Sequence, residues 1–383
     1  MLDKIYQNNR IYPLVCKIPS FIRRFMIYSL FFIRRKNLIS LKTPKVITFF
    51  VTNRCNARCS HCFYWKNLNK LKKEELNLEQ IKKTAKSLKH PLTTLLLTGG
   101  EPFLREDIFE ICKIFEKYNK TSKVVIPTNG FFSEEIYKTV KKIVEETNLF
   151  VDVNISIDGM EETSSKIRGI KNIFLRYEDT IRLLKRIKNK RFQPTILTTI
   201  STDNYSEILN LLDYNNRHWS LPHRFQYLRS CNEVYNIDPK IVQGFFQRNK
   251  KTSIPPLDKM GELNKRLDGR LKDNDLQIRI NKMERKLSYQ ILNTRKRIME
   301  CVAGNYDAVI FPNGDVSLCE MTKPFANLKE FNYDFYKLWS SKKANKMREK
   351  IRSCSCIHSC NLINSMTHDK DKLLDIFKIH DEL

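Results

Sequence analysis

"TNRCNARCSHCFYW", residues 52–65, places Cys55, Cys59 and Cys62 within eight positions, three residues apart and then two. Thiolates gathered this closely serve zinc or iron–sulfur clusters. A structural zinc wants four ligands, usually from paired Cys-x2-Cys knuckles, and no fourth cysteine lies near. His61 is a further donor type in the stretch, but next to Cys62 it would strain a tetrahedral site. A 4Fe–4S cluster held by three thiolates instead leaves one iron open to bind a substrate or cofactor directly. On that reading the missing ligand is functional.

Outward from this loop the chain alternates between strand and helix patterns. "KVITFFVT" (45–52) is short, apolar and β-branched, a buried strand that ends in the cysteine loop. "NLEQIKKTAKSL" (77–88) puts Leu78, Ile81, Ala85 and Leu88 on one helical face, and Asn77 with Gln80 makes a capping box. "TTLLLTGG" (93–100) is the next strand. In the helix that follows it, Cys112 joins Ile108, Ile111 and Phe115 on the inward face, as a small core residue. "KVVIPTNG", a helix with Ser133 as N-cap, "FVDVNISIDG", a helix through Tyr177 and Ile181, "PTILTTIS", "SEILNLL" and "HRFQYLRS" continue the pattern. Six strands with helices between them imply a parallel sheet with right-handed crossovers, an α/β partial (β/α)6 TIM-like barrel. Chemistry in such folds lies at the strand C-termini. The cysteine loop, "TGGEP", "TNG" and "SIDG" end strands one to four in turn.

At this point "CNARCSHC" resembles the CxxxCxxC loop of radical S-adenosylmethionine (SAM) enzymes, which follows the first strand of a partial barrel. His61 stands where that family often has an aromatic residue. The resemblance implies that the open iron is chelated by the amino and carboxylate groups of SAM. Reductive cleavage then releases a 5′-deoxyadenosyl radical, which takes a hydrogen atom from the substrate. "GGEP", Gly99, Gly100, Glu101 and Pro102, resembles the family's SAM-amine motif: glycines permit close backbone approach, and Glu101 is an acceptor for an ammonium. "SIDG", with Ser156 and Asp158, and "KIRG", with Arg168, resemble positions that hold the SAM ribose or carboxylate, and Asn129 of "TNG" lines the same site. Read without the resemblance, Ser156 and Asn129 equally fit turn chemistry, and Arg168 a surface arginine.

A second group of thiols begins at Cys301. Cys301-x12-Gly314-x4-Cys319 is a hairpin-like spacing with Asn313-Gly314 at the turn, and "CSCIHSC" adds Cys354, Cys356 and Cys360. This resembles the SPASM/Twitch extension of radical SAM enzymes, which carries auxiliary 4Fe–4S clusters. Its last part departs from the full SPASM pattern, and five cysteines cannot complete two clusters. The Twitch-like case, one auxiliary cluster, follows, with Cys301 and Cys319 as its first ligands, then Cys360 and Cys354, and with Cys356 spare or a substitute. A structural zinc site is the competing reading. His358 is read as a bystander, and Cys16 and Cys231 as ordinary thiols.

Composition sets the remaining bounds. The chain has 383 residues, 41% hydrophobic, with eleven cysteines in clusters and no secretory pattern, which points to a reducing, cytoplasmic setting. The net charge of +27 comes from lysines spread along the chain, which read as a solvated surface rather than a nucleic-acid footprint. Residues 17–35, "KIPSFIRRFMIYSLFFIRR", are too short an apolar run to span a bilayer, which takes roughly 20 residues. They fit either a basic interfacial helix in peripheral membrane contact or a helix packed on the next domain. The organisation expected is a basic helical segment at 1–45, a radical SAM core at 46–231, a helical connector at 232–300, a cluster-binding module at 301–365 and a tail at 366–383. The resemblance implies SAM and 4Fe–4S cofactors, an electron donor such as flavodoxin or ferredoxin, and a peptide or sugar-like small-molecule substrate. An RNA substrate and a zinc-stabilised binding protein without activity are the alternatives.

Overall fold

The computed structural model describes residues 15, 17–70, 74–244, 247–271 and 275–377, so Cys16 lies outside the described residues. Helix α1 (Ser20–Ser40) leads into β1 (Val46–Thr52), whose six residues after Val46 are all buried. The alternation then runs α2 (Leu78–Ser87), β2 (Thr94–Gly99), α3 (Ile108–Asn119), β3 (Lys123–Thr128), α4 (Ser133–Glu146), β4 (Phe150–Ser156). Two helices, α5 (Glu161–Arg168) and α6 (Ile173–Leu184), precede β5 (Phe192–Ile200), and α7 (Ile208–Tyr214) precedes β6 (His223–Tyr227). Strands β1 to β6 pair in parallel in chain order, as the sequence pattern requires.

Local chemistry accounts for most boundaries. Asn77 and Gln80 form the expected reciprocal capping box on α2. Ser133 does not cap α4. It is the helix's first residue, with Phe132 at the cap position, and its hydroxyl is engaged by Thr180 at 2.8 Å instead. Cys112 is fully buried in the core, as its helical face predicts.

After β6 the chain is less regular than a helical connector. It forms the two-residue β7 (Val234–Tyr235) and turns before reaching α8 (Leu257–Arg270) and α9 (Leu276–Thr294). The C-terminal part then does something the sequence pattern did not announce. Strand β8 (Asp307–Ile310) adds to the free edge of β1 in parallel register, Val46 against Asp307 through Phe49 against Ile310. Strands β9 (Asp315–Ser317) and β10 (Ala326–Asn327) follow it antiparallel, giving one nine-stranded sheet. The turn between β8 and β9 is the expected Asn313-Gly314, with Gly314 at φ 87°. Helices α10 (Phe335–Trp339) and α11 (Lys342–Ile351) come next. Strand β11 (Ser355–Cys356) pairs with β7, and α12 (Ser359–Met366) and α13 (Lys370–Ile376) close the described chain.

The sheet's outer face carries the apolar core with the helices; its inner face is polar. Asp152, Asn154 and Ser156 alternate along β4, and Arg224 and Gln226 along β6. Asp152 is the centre of a buried ion network: Lys123 Nζ at 2.8 Å, Arg224 Nη2 at 3.3 Å, and the Thr195 hydroxyl donating at 3.1 Å. Burial pushes the Asp152 carboxyl up, but Lys123 and Arg224 more than offset this and hold it below its ordinary 3.8. Its charge therefore contributes stability above that value, lost as pH falls further. Asp152→Ala leaves two cations without their carboxylate, and chemical denaturation at pH 7 should show a loss of roughly 3–5 kcal/mol.

Candidate active site

The cysteine loop is fastened on two sides. On one, Gly100 N–H donates to Thr52 C=O at 2.9 Å and Glu101 N–H to Arg54 C=O at 2.8 Å. This contact is so close that a Cβ on Gly100 would lie 2.0 Å from the Arg54 carbonyl oxygen, and one on Gly99, at φ 129°, 2.3 Å from that of Thr52. The glycines are therefore required by the loop's own backbone. On the other side, Arg58 N–H and Ser60 N–H donate to the carbonyls of Arg168 and Ile167 at the end of α5. Gly169, in the left-handed region at φ 64°, ends that helix where a Cβ would press on Arg58 at 2.9 Å.

So held, Cys55, Cys59 and Cys62 line one end of a cavity of about 400 Å³ that runs into the barrel. Burial pushes the Cys55 and Cys62 thiols up to about 12, and raises Cys59 as well; each of the three feels a neighbour's charge. An iron–sulfur cluster would supply the positive charge that lets thiols raised in this way ionise.

Of the candidate SAM residues, Gly99, Gly100, Glu101, Asn129, Ser156 and Arg168 line this cavity, whereas Pro102 and Asp158 do not. Glu101 is 2% exposed. Its Oε1 accepts from the Thr128 hydroxyl at 2.8 Å and from Phe103 N–H, and its Oε2 accepts from Asn129 N–H at 2.8 Å. Burial raises its carboxyl to about 7 against these bonds. Asn129 also donates to Asn56 Oδ1 at 2.8 Å, tying the end of β3 to the cysteine loop. Asp158 is fully buried behind Arg168, which it pairs at 2.5 Å, and it accepts from Thr199 N–H at 3.0 Å. Arg168 turns its other nitrogen, Nη1, to Cys59 Sγ at 3.7 Å. Arg168 Nε and His61 Nδ1 are buried without a hydrogen-bond partner, and both residues line the cavity. Burial lowers the His61 pKa, so its contact with Asp158 at 3.7 Å is that of a neutral ring. Buried thiols, an anionic acceptor and orphaned donors around one space fit a cluster with SAM upon it.

The inner strand residues Lys123, Asn154, Thr199, Arg224 and Gln226 also line the cavity, and Glu284 and Glu320 reach it from the C-terminal half. Motif reading missed them; the period-2 alternation of polar residues in "FVDVNIS" and "HRFQY" is the signal that could have found them.

The C-terminal thiols divide. Cys301, Cys319, Cys354 and Cys356 shift one another's ionisation, and the first, third and fourth line a small cavity together with Asn361, to which Cys319 Sγ bonds at 3.0 Å. Cys356 is the lowest of them, at about 6, through its bond from Cys354 and, against burial, the nearby His358. Cys360 instead lines the main cavity, and its thiol is raised to about 12 by burial with Glu320 and Arg229 as its leading charged neighbours. Helix α12 begins at Ser359, and Cys360 in its first turn lines a different cavity from the one that Cys301, Cys354 and Cys356 share. Among the described residues no three His, Cys, Asp or Glu side chains converge on a single-ion position.

His358 is engaged at both ring nitrogens. Its Nδ1 accepts from Asn361 N–H at the start of α12, and its Nε2 lies 2.9 Å from Glu320 Oε2. Arg229 pairs with the same carboxylate at 2.5 Å and stacks over the Phe63 ring at 4.4 Å. One arginine thus bridges the neighbour of Cys62 and the neighbour of Cys319.

The sequence profile of the Radical SAM superfamily matches residues 49–214, and that of an iron–sulfur cluster-binding domain, SPASM, matches residues 301–361. Among curated proteins, a GTP 3′,8-cyclase of Helicobacter pylori is 29% identical over 177 residues, 44% of this chain and 51% of that protein. The antilisterial bacteriocin subtilosin biosynthesis protein AlbA of Bacillus subtilis is 36% identical over 148 residues, 37% of this chain and 30% of that protein. The chain spans about half the length, or less, of the curated relatives it matches. Streptococcus suis SuiB bound to S-adenosylmethionine superposes with a TM-score of 0.57 at 16% identity, over 84% of this chain and 70% of that one, a likeness of fold.

Against burial, Arg229 and His358 hold the Glu320 carboxyl down at about 2 from the ordinary 4.5. That stabilisation is present above pH 4.5 and is lost as pH falls towards 2. Arg229→Ala should cost roughly 2–4 kcal/mol at neutral pH in denaturant titrations, and the deficit should shrink as the medium is acidified.

Proposed function

We propose, from the premise that this chain is a radical SAM enzyme with a C-terminal iron–sulfur-binding domain, that it modifies a peptide side chain held in the barrel cavity. When bound, the cluster and SAM would supply a 5′-deoxyadenosyl radical, one electron being spent on breaking the C5′–S bond with methionine as the other fragment, and that radical would take a hydrogen atom from the substrate. The observation carrying the proposal is the cavity of about 400 Å³, within the size range of ligand sites, which touches all three N-terminal thiols and continues along the polar barrel interior. Cys55, Cys59 and Cys62 would hold the cluster. Glu101 would accept from the SAM ammonium, and the unpartnered Arg168 Nε and His61 Nδ1 would meet the cofactor's polar groups. Arg168, paired with Asp158, presents its charge without the cost of an unpaired buried cation. The peptide assignment is favoured by the bacteriocin-biosynthesis name of one relative and by a SuiB structure bound to precursor peptide SuiA. An external low-potential donor such as flavodoxin or ferredoxin would deliver the electron.

The auxiliary cluster belongs on Cys301, Cys319, Cys354 and Cys356, a set that can satisfy one 4Fe–4S cluster completely. Cys360 then remains a protonated thiol in the substrate cavity.

With anaerobically reconstituted enzyme, SAM and dithionite, 5′-deoxyadenosine should form, and deuterium should pass to it from a deuterated precursor peptide. The Cys55/Cys59/Cys62→Ala variant should lose about four irons and all cleavage. Cleavage by that variant overturns the central claim; deuterium passing from a small metabolite or an RNA but from no peptide overturns the acceptor.

Iron analysis separates the C-terminal thiols. In the triple-alanine background, Cys356→Ser should lose most of the remaining iron and sulfide, and Cys360→Ser should retain it. The reverse result moves the ligand set back to Cys360.

A further inference from the structure

Helix α1 has two faces of opposite character. Its inner face is fixed to the body: Ile27, 4% exposed, packs among Leu276, Ile280, Leu373 and Phe377. Arg23 Nη1 donates to the Phe377 carbonyl at 2.7 Å, Arg34 to the Thr367 hydroxyl at 3.1 Å, and Arg35 pairs with Glu300 at 2.7 Å. The outer face is apolar and open. Phe21 is 72% exposed, Phe25 73%, Phe32 66% and Ile39 80%. At 3.6 residues per turn these four fall within about 40° of one another, a straight stripe along the helix. Ile22 and Ile33 widen it on one side.

Of the eight large apolar side chains exposed among the described residues, six belong to α1, so the exposure is a surface feature and not scattered background. Basic residues flank the four-residue stripe: exposed Arg24 on one side and, on the other, exposed Lys36 between it and Ile22 and Ile33, on a chain of net charge +27. Apolar anchors within a cationic rim are complementary to a surface that is apolar beneath an anionic layer. No helix among the described residues is long and apolar enough to cross a membrane. The geometry suits a helix lying in the interface.

We propose that the outer face of α1 docks this protein on an anionic lipid bilayer. Phe21, Phe25, Phe32 and Ile39 enter the acyl boundary, while Arg24 and Lys36 meet lipid phosphates. Because α1 is held rigidly on its inner face, the docking surface is preformed. Arg34, Val46 and Thr94 line the cavity at the start of the strands, so α1 lies at the end of the barrel away from the cysteine loop. Docking therefore leaves the strand C-termini clear. The proposal does not depend on the chemistry of the cavity.

The test is co-flotation of the full-length reconstituted enzyme with vesicles of phosphatidylglycerol and phosphatidylcholine, or of phosphatidylcholine alone. Binding to the anionic vesicles should be at least about tenfold tighter and should weaken with salt. Phe21→Ser, Phe25→Ser and Phe32→Ser together should lower it at least about tenfold while iron content and 5′-deoxyadenosine formation stay unchanged. Wild-type protein that ignores anionic vesicles, or a triple variant that binds as well as wild type, overturns the proposal. So does a wild-type dimer in sedimentation equilibrium that the triple variant abolishes, since the stripe would then be covered by a second copy.

Discussion

The cysteine loop can exist only because two successive residues at the end of β2 have no side chain. Thr52 and Arg54 press their carbonyls to within hydrogen-bonding distance of Gly100 and Glu101 N–H, and the register of β1 on β2 shifts at this point. Any Cβ on Gly99 or Gly100 would overlap backbone, which cannot swing aside. Glu101 completes the arrangement by facing two ways. Its N–H holds the loop, while its carboxylate reaches the end of β3 through Thr128 and Asn129. Asn129 then returns to the loop at Asn56. Three strand ends and the thiol-bearing loop form one closed hydrogen-bonded circuit, which ties the loop to the sheet.

The same economy of charge governs the barrel interior. Polar inner residues would be costly there without partners. Asp152 offsets Lys123 and Arg224, Asp158 offsets Arg168, and Glu320 offsets Arg229. Each pair leaves donors or acceptors facing the cavity without an isolated buried charge behind them. A polar substrate would meet an interior already balanced, and could be oriented by hydrogen bonds without having to neutralise the protein.

What the sequence revealed follows from how local each signal is. Cys55, Cys59 and Cys62 are close in the chain, so their grouping is legible, as are β-branched strands and the Asn77–Gln80 capping box. Lys123, Asp152 and Arg224 each read as ordinary charged residues; they become a network only when β3, β4 and β6 are set in the sheet, with partners 29 and 72 positions apart. Cys354, Cys356 and Cys360 are equally close in sequence, but spacing alone does not say that β11 ends at Cys356 and α12 starts at Ser359, turning the third thiol towards a different cavity. For α1, the pattern showed an apolar basic helix, but which apolar residues faced the body depended on α9 and α13, far along the chain.

The partnership of β8 with β1 ties the two groups of cysteines to one sheet. Cys301 and Cys319 flank a hairpin whose first strand is paired along the strand that delivers the N-terminal cysteine loop. Asp307, at the start of β8, accepts from Asn361 and Asn364 of α12, so the segment following Cys356 is anchored to the same sheet. Phe311, just past β8, packs at 5.0 Å on Phe50 of β1 and at 6.2 Å on Tyr64, two residues after Cys62. Without residues 301–361, β1 would be an edge strand with unpaired backbone groups, and this aromatic cluster would be open to water. The C-terminal thiols are thus built on the barrel's own sheet. Contacts run from the C-terminal hairpin towards Cys62 by way of Phe311 and Tyr64 on one side, and by way of Glu320, Arg229 and Phe63 on the other.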